Sequence, residues 1–85
     1  MFYVYILKSR TDGMLYTGYT SDLRRRLAEH NSGKSKSTKG REPFELIYYE
    51  AYRSKSDAMR RERMLKLGGR ALGQLRGRIA QSLET

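Results

Sequence analysis

The stretch Phe2-Tyr3-Val4-Tyr5-Ile6-Leu7-Lys8-Ser9, then Arg10-Thr11-Asp12-Gly13, then Met14-Leu15-Tyr16-Thr17-Gly18-Tyr19 decides the fold. Its first eight residues carry aromatic and β-branched side chains in both registers. Phe2, Val4 and Ile6 point one way, and Tyr3, Tyr5 and Leu7 the other. Two apolar faces predict a central strand covered on both sides. Asp12-Gly13 is a hairpin-turn signal, so Met14–Tyr19 reads as the returning strand. Gly18 within it marks a bulge or a close approach to the backbone.

Working outward, Thr20 or Ser21 is expected to cap a helix running to about Asn31, with Asp22 in its first turn. Leu23 and Leu27 form its apolar stripe, and Gly33 suits the left-handed position after its end. Residues 32–43 read as an exposed basic loop carrying Lys34, Lys36, Lys39 and Arg41. Phe44–Tyr52 is a third strand, and its Leu46-Ile47-Tyr48-Tyr49 run reads as buried on both faces. Ser54 and Asp57 resemble a capping box ahead of a helix over Lys55–Leu67, which Gly68-Gly69 stops. Leu72, Leu75, Ile79 and Leu83 have helical spacing and predict one last helix over Ala71–Leu83. The order β-β-α-β-α-α, with helices packed on a hairpin and a third strand, is a small α+β domain.

Composition narrows the function. The 85 residues hold 18 Lys+Arg against 9 Asp+Glu, a net charge of +9. That length predicts one domain over residues 1–85. The absence of cysteine excludes disulfides, thiolate metal sites and a cysteine nucleophile. A single histidine, His30, excludes a multi-histidine metal centre. No apolar run approaches the roughly 18–20 residues of a membrane span, and the start is too short and aromatic for a secretory signal. A cytoplasmic protein without a membrane partner is expected. The positive excess favours a polyanion, above all nucleic acid, because clustered cations release counterions from phosphates.

Three groups stand out from a purely structural pattern. Leu23, Arg26, Leu27 and His30 share one helix face. Arg26 there either packs its stem, pairs with a carboxylate, or faces a cleft and grips phosphate. Ala58, Glu62 and Leu65 share another inward face. Glu62 either pairs with Lys66 four residues on, or serves as the single carboxylate that suits Mg²⁺. Seven tyrosines, with Tyr3, Tyr5, Tyr16 and Tyr19 in the hairpin, are either core residues with satisfied hydroxyls or groups acting at a phosphodiester.

Tyr3-Val4-Tyr5, Tyr16-Thr17-Gly18 ten residues of hairpin later, and Leu23-Arg24-Arg25-Arg26-Leu27-Ala28-Glu29-His30-Asn31 together resemble the GIY-YIG nuclease family. The likeness is greatest to its small single-domain bacterial members, related to the catalytic domain of the excision nuclease UvrC and to structure-specific endonucleases. It extends through Pro43, Leu46-Ile47-Tyr48 and the Ala58…Arg61-Glu62…Leu65-Lys66 helix, covering about residues 2–67. Tyr3 stands where the first motif has glycine, and Thr17 where the second has isoleucine. The tail from Gly68 offers Gln74 and Gln81 where many relatives carry asparagine.

The resemblance implies a central three-stranded antiparallel sheet flanked by helices. It implies hydrolysis of DNA phosphodiesters, dependent on one Mg²⁺ or Mn²⁺ ion, in DNA repair or processing. Tyr5 is then the tyrosine of the first motif and Tyr16 that of the second. Arg26 is the catalytic arginine, His30 lies in the active-site helix, and Glu62 is the metal ligand. Tyr5 or Tyr16 would orient or deprotonate the attacking water, with Tyr5 favoured as the base. Lys34, Lys36, Lys39 and Arg41 would track the DNA backbone, or RNA through the same phosphates. Small size predicts structure-based selectivity and a protein partner for targeting. The alternatives are a nucleic-acid-binding module of the same fold with little turnover, and a basic RNA-bound structural protein.

Overall fold

The structure, a computed structural model, describes residues 1–84. Three strands, β1 (Phe2–Ser9), β2 (Leu15–Thr20) and β3 (Phe44–Tyr52), form one antiparallel sheet in the order β2-β1-β3. Helices α1 (Leu23–Asn31), α2 (Lys55–Lys66), α3 (Gly69–Arg78) and α4 (Ala80–Glu84) complete the α+β architecture.

The two-faced apolar pattern of β1 has the consequence expected of it. Val4, Tyr5, Ile6 and Leu7 are all buried at the sheet centre. On one face Val4 and Ile6 meet Ala58 and Leu65 of α2 and Leu75 of α3. On the other, Tyr5 and Leu7 meet Phe44, Leu23 and Leu27. Burial of such side chains contributes roughly 1.5–3 kcal/mol each, which is why a central strand is the nucleus of so small a domain.

Local chemistry sets the element ends. Gly13 takes φ +72° in the hairpin turn, and Asp12 Oδ1 accepts the Met14 N–H at 2.8 Å. Thr20 and Ser21 do not cap α1. Asp22 does, accepting the Arg25 N–H at 3.1 Å, while the Thr20 hydroxyl accepts the Asp22 N–H one step earlier. The shorter aspartate reach from the extended residue adjoining the helix wins. Gly33 follows the helix at φ +76°. Ser54 caps α2, but Asp57 binds Arg60 instead of closing a capping box.

Three further expectations are corrected. The irregularity in the sheet lies between β1 and β3, where Ile6 pairs with Tyr48 and Leu7 with Leu46; Gly18 sits in regular pairing. The run in β3 is not buried on both faces: Tyr49 is 52% exposed beside a cavity that α1 leaves open. The last helix is two, broken at Ile79 (φ −111°, ψ 28°). Gly73 and Gly77 weaken a continuous helix, and Ile79 leaves helical geometry as it packs against the core. The turn brings the Leu83 carbonyl to Lys8 Nζ at 2.7 Å.

A polar clamp ties α2 to β3. Glu50 accepts from Arg61 at 2.9 and 3.0 Å and also from the Tyr48 and Tyr52 hydroxyls. Burial opposes the Glu50 charge, but Arg61 and then the two phenols more than offset it, holding its pKa below the ordinary value. A depressed carboxylate pKa adds stability that is present above the unfolded-state value and lost as pH falls through the folded-state value. Glu50→Gln is therefore expected to cost about 2 kcal/mol at pH 7 and to flatten the loss of stability below about pH 4. Urea unfolding at pH 7 and pH 3 measures both, and equal stability of the two proteins would remove the clamp.

Candidate active site

Tyr5 and Gly18 are register partners on β1 and β2. The Tyr5 ring lies across Gly18, and a Cβ at position 18 would overlap the ring's Oη and Cζ. The close approach anticipated at Gly18 is thus a side chain of the neighbouring strand. The ring reaches His30, whose Nε2 lies 2.8 Å from Tyr5 Oη. The other ring nitrogen, Nδ1, lies 2.7 Å from Thr38 Oγ1. Tyr5, His30 and Thr38 are each no more than 1% exposed. Buried polar groups need such partners, because an unmet one costs about 1–3 kcal/mol.

The helical spacing of α1 carries Arg26 to the same place. Its guanidinium donates to Glu29 Oε1 at 3.1 Å and to Ser35 Oγ at 3.3 Å. Burial pushes the Tyr5 phenol up to about 12, against a downward pull from Arg26. Burial, and then the Arg26 charge, lowers the His30 pKa against the influence of Glu29. His30 is neutral at pH 7, with one nitrogen donating and one accepting.

Tyr16 stands beside this group, its ring centroid 5.0 Å from that of His30 and 6.4 Å from that of Tyr5. It is half-buried, and its hydroxyl meets Ser37 Oγ at 3.2 Å. From the other side, α2 supplies Lys66, whose ammonium lies 5.7 Å from the Tyr16 ring centroid and 3.1 Å from Glu62 Oε2. Glu62 is 19% exposed at its side chain, and its charge acts on the Tyr5 phenol. Tyr5, Tyr16, Arg26, His30 and Glu62 therefore gather around the β2 edge of the sheet, from two strands and two helices.

The loop residues divide. Lys34, Lys36 and Lys39 are exposed, while Ser35 and Thr38 between them are buried against the site. Arg41 is not part of the exposed basic set. It donates to Asp12 at 2.8 Å and its guanidinium lies 5.7 Å from the Phe44 ring centroid, fastening the loop to the hairpin. The Glu62–Lys66 pair anticipated from the i+4 spacing is present, whereas the sequence does not single out Thr38 and Ser35. Their only signal was a pair of small hydroxyls three residues apart among lysines.

A family profile described as the GIY-YIG catalytic domain matches residues 1–74. The chain belongs to the GIY-YIG family. Among relatives, a UPF0213 protein of Streptococcus agalactiae is 52% identical over 65 residues, 75% of this chain and 73% of that one. A UPF0213 protein of Halobacterium salinarum is 50% identical over 72 residues, 84% of this chain and 92% of that one. The solution NMR structure of a UPF0213 protein from Bacillus halodurans shares 47% identity, with a TM-score of 0.54, over 88% of this chain and 81% of that one. The chain is thus one of the small GIY-YIG members. The glycine of its second motif, Gly18, has a physical task here, since any side chain would collide with the tyrosine of the first motif.

Gly18→Ala is expected to destabilise the domain by about 1–3 kcal/mol and to separate Tyr5 from His30. Thermal unfolding reads the first effect and the imidazole ¹⁵N shifts of His30 the second. An unchanged spectrum and midpoint would contradict the crossing of ring and strand.

Proposed function

We propose that this GIY-YIG protein is a divalent-metal-dependent endonuclease that hydrolyses DNA phosphodiesters in repair or processing, selecting its substrate by structure. One observation carries this reading. Arg26 with its partner Glu29, two tyrosines, a histidine and the Glu62 carboxylate converge at one sheet edge, beside exposed lysines, in a chain of net charge +9.

The donor set fits a single hydrated Mg²⁺ or Mn²⁺. Among the described residues no three His, Asp or Glu side chains converge. Magnesium asks for no such cage, since it takes one or two carboxylates with waters and substrate phosphates. The Glu62 side chain is 19% exposed and so open to a hydrated ion, which would compete with Lys66 for Oε2. Glu62 would hold the ion, which supplies Lewis-acid polarisation of the phosphate and a lowered pKa for bound water.

The chain's own groups divide the remaining work. Arg26, oriented by Glu29 and Ser35, would bind the phosphate and stabilise the charge that grows on it. Tyr5 carries its proton to about pH 12 and so cannot serve as a free phenolate at neutral pH. Neutral His30 offers a route around this. In one tautomer Tyr5 Oη–H donates to Nε2 while Nδ1–H donates to Thr38. Tyr5 would take the proton of the attacking water as it passes its own to His30. Tyr16, nearer solvent, would hold the water or a phosphate oxygen. Lys34, Lys36 and Lys39 would contact backbone phosphates.

A binding module with little turnover is the second reading. It is favoured by the pairing of each charged site group within the protein, Arg26 with Glu29 and Glu62 with Lys66. Cleavage of end-labelled duplex, single-stranded, flap and four-way-junction DNA with Mg²⁺, Mn²⁺ or EDTA separates the two. Glu62→Ala is expected to abolish metal-dependent cleavage and spare binding. Arg26→Ala is expected to lower turnover by about 100-fold or more with a much smaller change in affinity. Equal cleavage by Glu62→Ala would remove that residue as metal ligand, and binding without cuts by the wild type would favour the module. Lys34→Ala with Lys36→Ala is expected to reduce the slope of log affinity against log salt by about one per lost phosphate contact. An unchanged slope would place the loop off the nucleic acid.

A further inference from the structure

On the face that carries Tyr5, a cavity of about 490 Å³ opens between the first turn of α1 and the β1–β3 side of the sheet. Tyr3, Tyr49, Leu27 and Leu46 line it, and Asp22 and Arg24 lie at the α1 side. We propose that this cavity seats one unpaired nucleobase of a nucleic-acid strand bound on the Tyr5 face of the sheet. The proposal rests on the nucleic-acid reading above and names the feature of the substrate that this site selects.

Three observations carry it. Tyr49 is 52% exposed, far more than a core tyrosine, on a strand whose other face is packed against α2. Tyr3 stands edge-on to it at 5.9 Å and 66°, so the two rings make a corner instead of closing on each other. An aromatic corner of this kind stacks any base through its π-face and is indifferent to sequence. The cavity also lies within the range of about 300–1,000 Å³ typical of small-ligand clefts.

Position and charge point to the same occupant. Tyr49 is the register partner of Tyr5, so the cavity lies on the β3 side of the central strand, on the same face as Tyr5, whose hydroxyl and partners lie toward β2. Arg24 is exposed at the cavity and forms no ion pair among the described residues, which leaves its guanidinium free for a flanking phosphate. A paired base cannot use this corner, because both its faces are stacked within the duplex and only its edges are offered. An unpaired base, in a single strand, a flap or a frayed end, offers its whole face.

The test uses the full chain in EDTA, where binding is read without cleavage. Labelled oligothymidine, oligouridine and a hairpin duplex of equal length would be titrated with wild type, Tyr49→Ala and Tyr49→Phe. Tyr49→Ala is expected to weaken single-strand binding about tenfold and to leave duplex binding unchanged, while Tyr49→Phe keeps wild-type affinity. A 2-aminopurine in the strand should be quenched by wild type and not by Tyr49→Ala. The strand, DNA or RNA, that shows the Tyr49-dependent loss identifies the source of the base. No loss, equal loss on duplex, or absent quenching would overturn the proposal. Because Tyr49 is exposed, unchanged thermal unfolding of Tyr49→Ala is expected and separates lost binding from lost fold. A wild type that never cleaves yet shows this single-strand selectivity would end the nuclease reading and leave the pocket. Cleavage abolished by Glu62→Ala, with binding indifferent to Tyr49, would do the reverse.

Discussion

The Tyr5 ring lying across Gly18 with its hydroxyl on His30 is the contact on which the rest of the site depends. It joins the central strand to α1, and through Thr38 it orders the loop as well. Three polar groups are removed from water together and satisfy one another there. A low dielectric strengthens each bond and makes the loss of any one expensive. The register of β1 and β2, the docking of α1 and the path of residues 32–43 must therefore agree to within one side chain. A one-residue slip of β2 would set a side chain beneath the ring and turn Tyr16 to the opposite face.

The same economy governs the charges. Six of the nine acidic residues form ion pairs with arginine or lysine, among them Glu29 with Arg26, Glu50 with Arg61 and Glu62 with Lys66. Glu50–Arg61 holds a helix to a strand, Glu45–Arg10 and Asp12–Arg41 tie the hairpin turn to β3 and the loop, and the other three lie within single helices. The positive surplus is left on outward residues such as Arg24, Lys34, Lys36 and Lys39. A field of that kind steers a polyanion toward the edge where the site groups gather.

Much of this was legible in the linear pattern. The apolar residues of β1 in both registers announce a central strand, and the i, i+4, i+7 spacing of α1 places Arg26 and His30 beside Leu23 and Leu27. Glu62 shares the inward stripe of α2 with Ala58 and Leu65 by the same arithmetic. What was not legible involves contacts between distant residues. Arg41 reads as one more loop cation, yet Asp12, 29 positions away, captures it. Tyr49 reads as part of a buried run, yet α1 does not cover it. The last helix reads as continuous, yet Ile79 breaks it to pack on the core.

The sequence by itself determined the α+β class, the central strand and the helix faces that carry Arg26, His30 and Glu62. These follow from periodicity and side-chain chemistry, which are properties of neighbouring residues. Tertiary structure alone decided that the buried Tyr5 meets His30 and holds its proton to about pH 12. It alone decided that Thr38 completes the histidine pair, and that an open aromatic corner lies on the β3 side of the same face. Burial, proton affinity and cavity shape are set by which atoms surround a group, and those atoms come from strands and helices far apart in the chain.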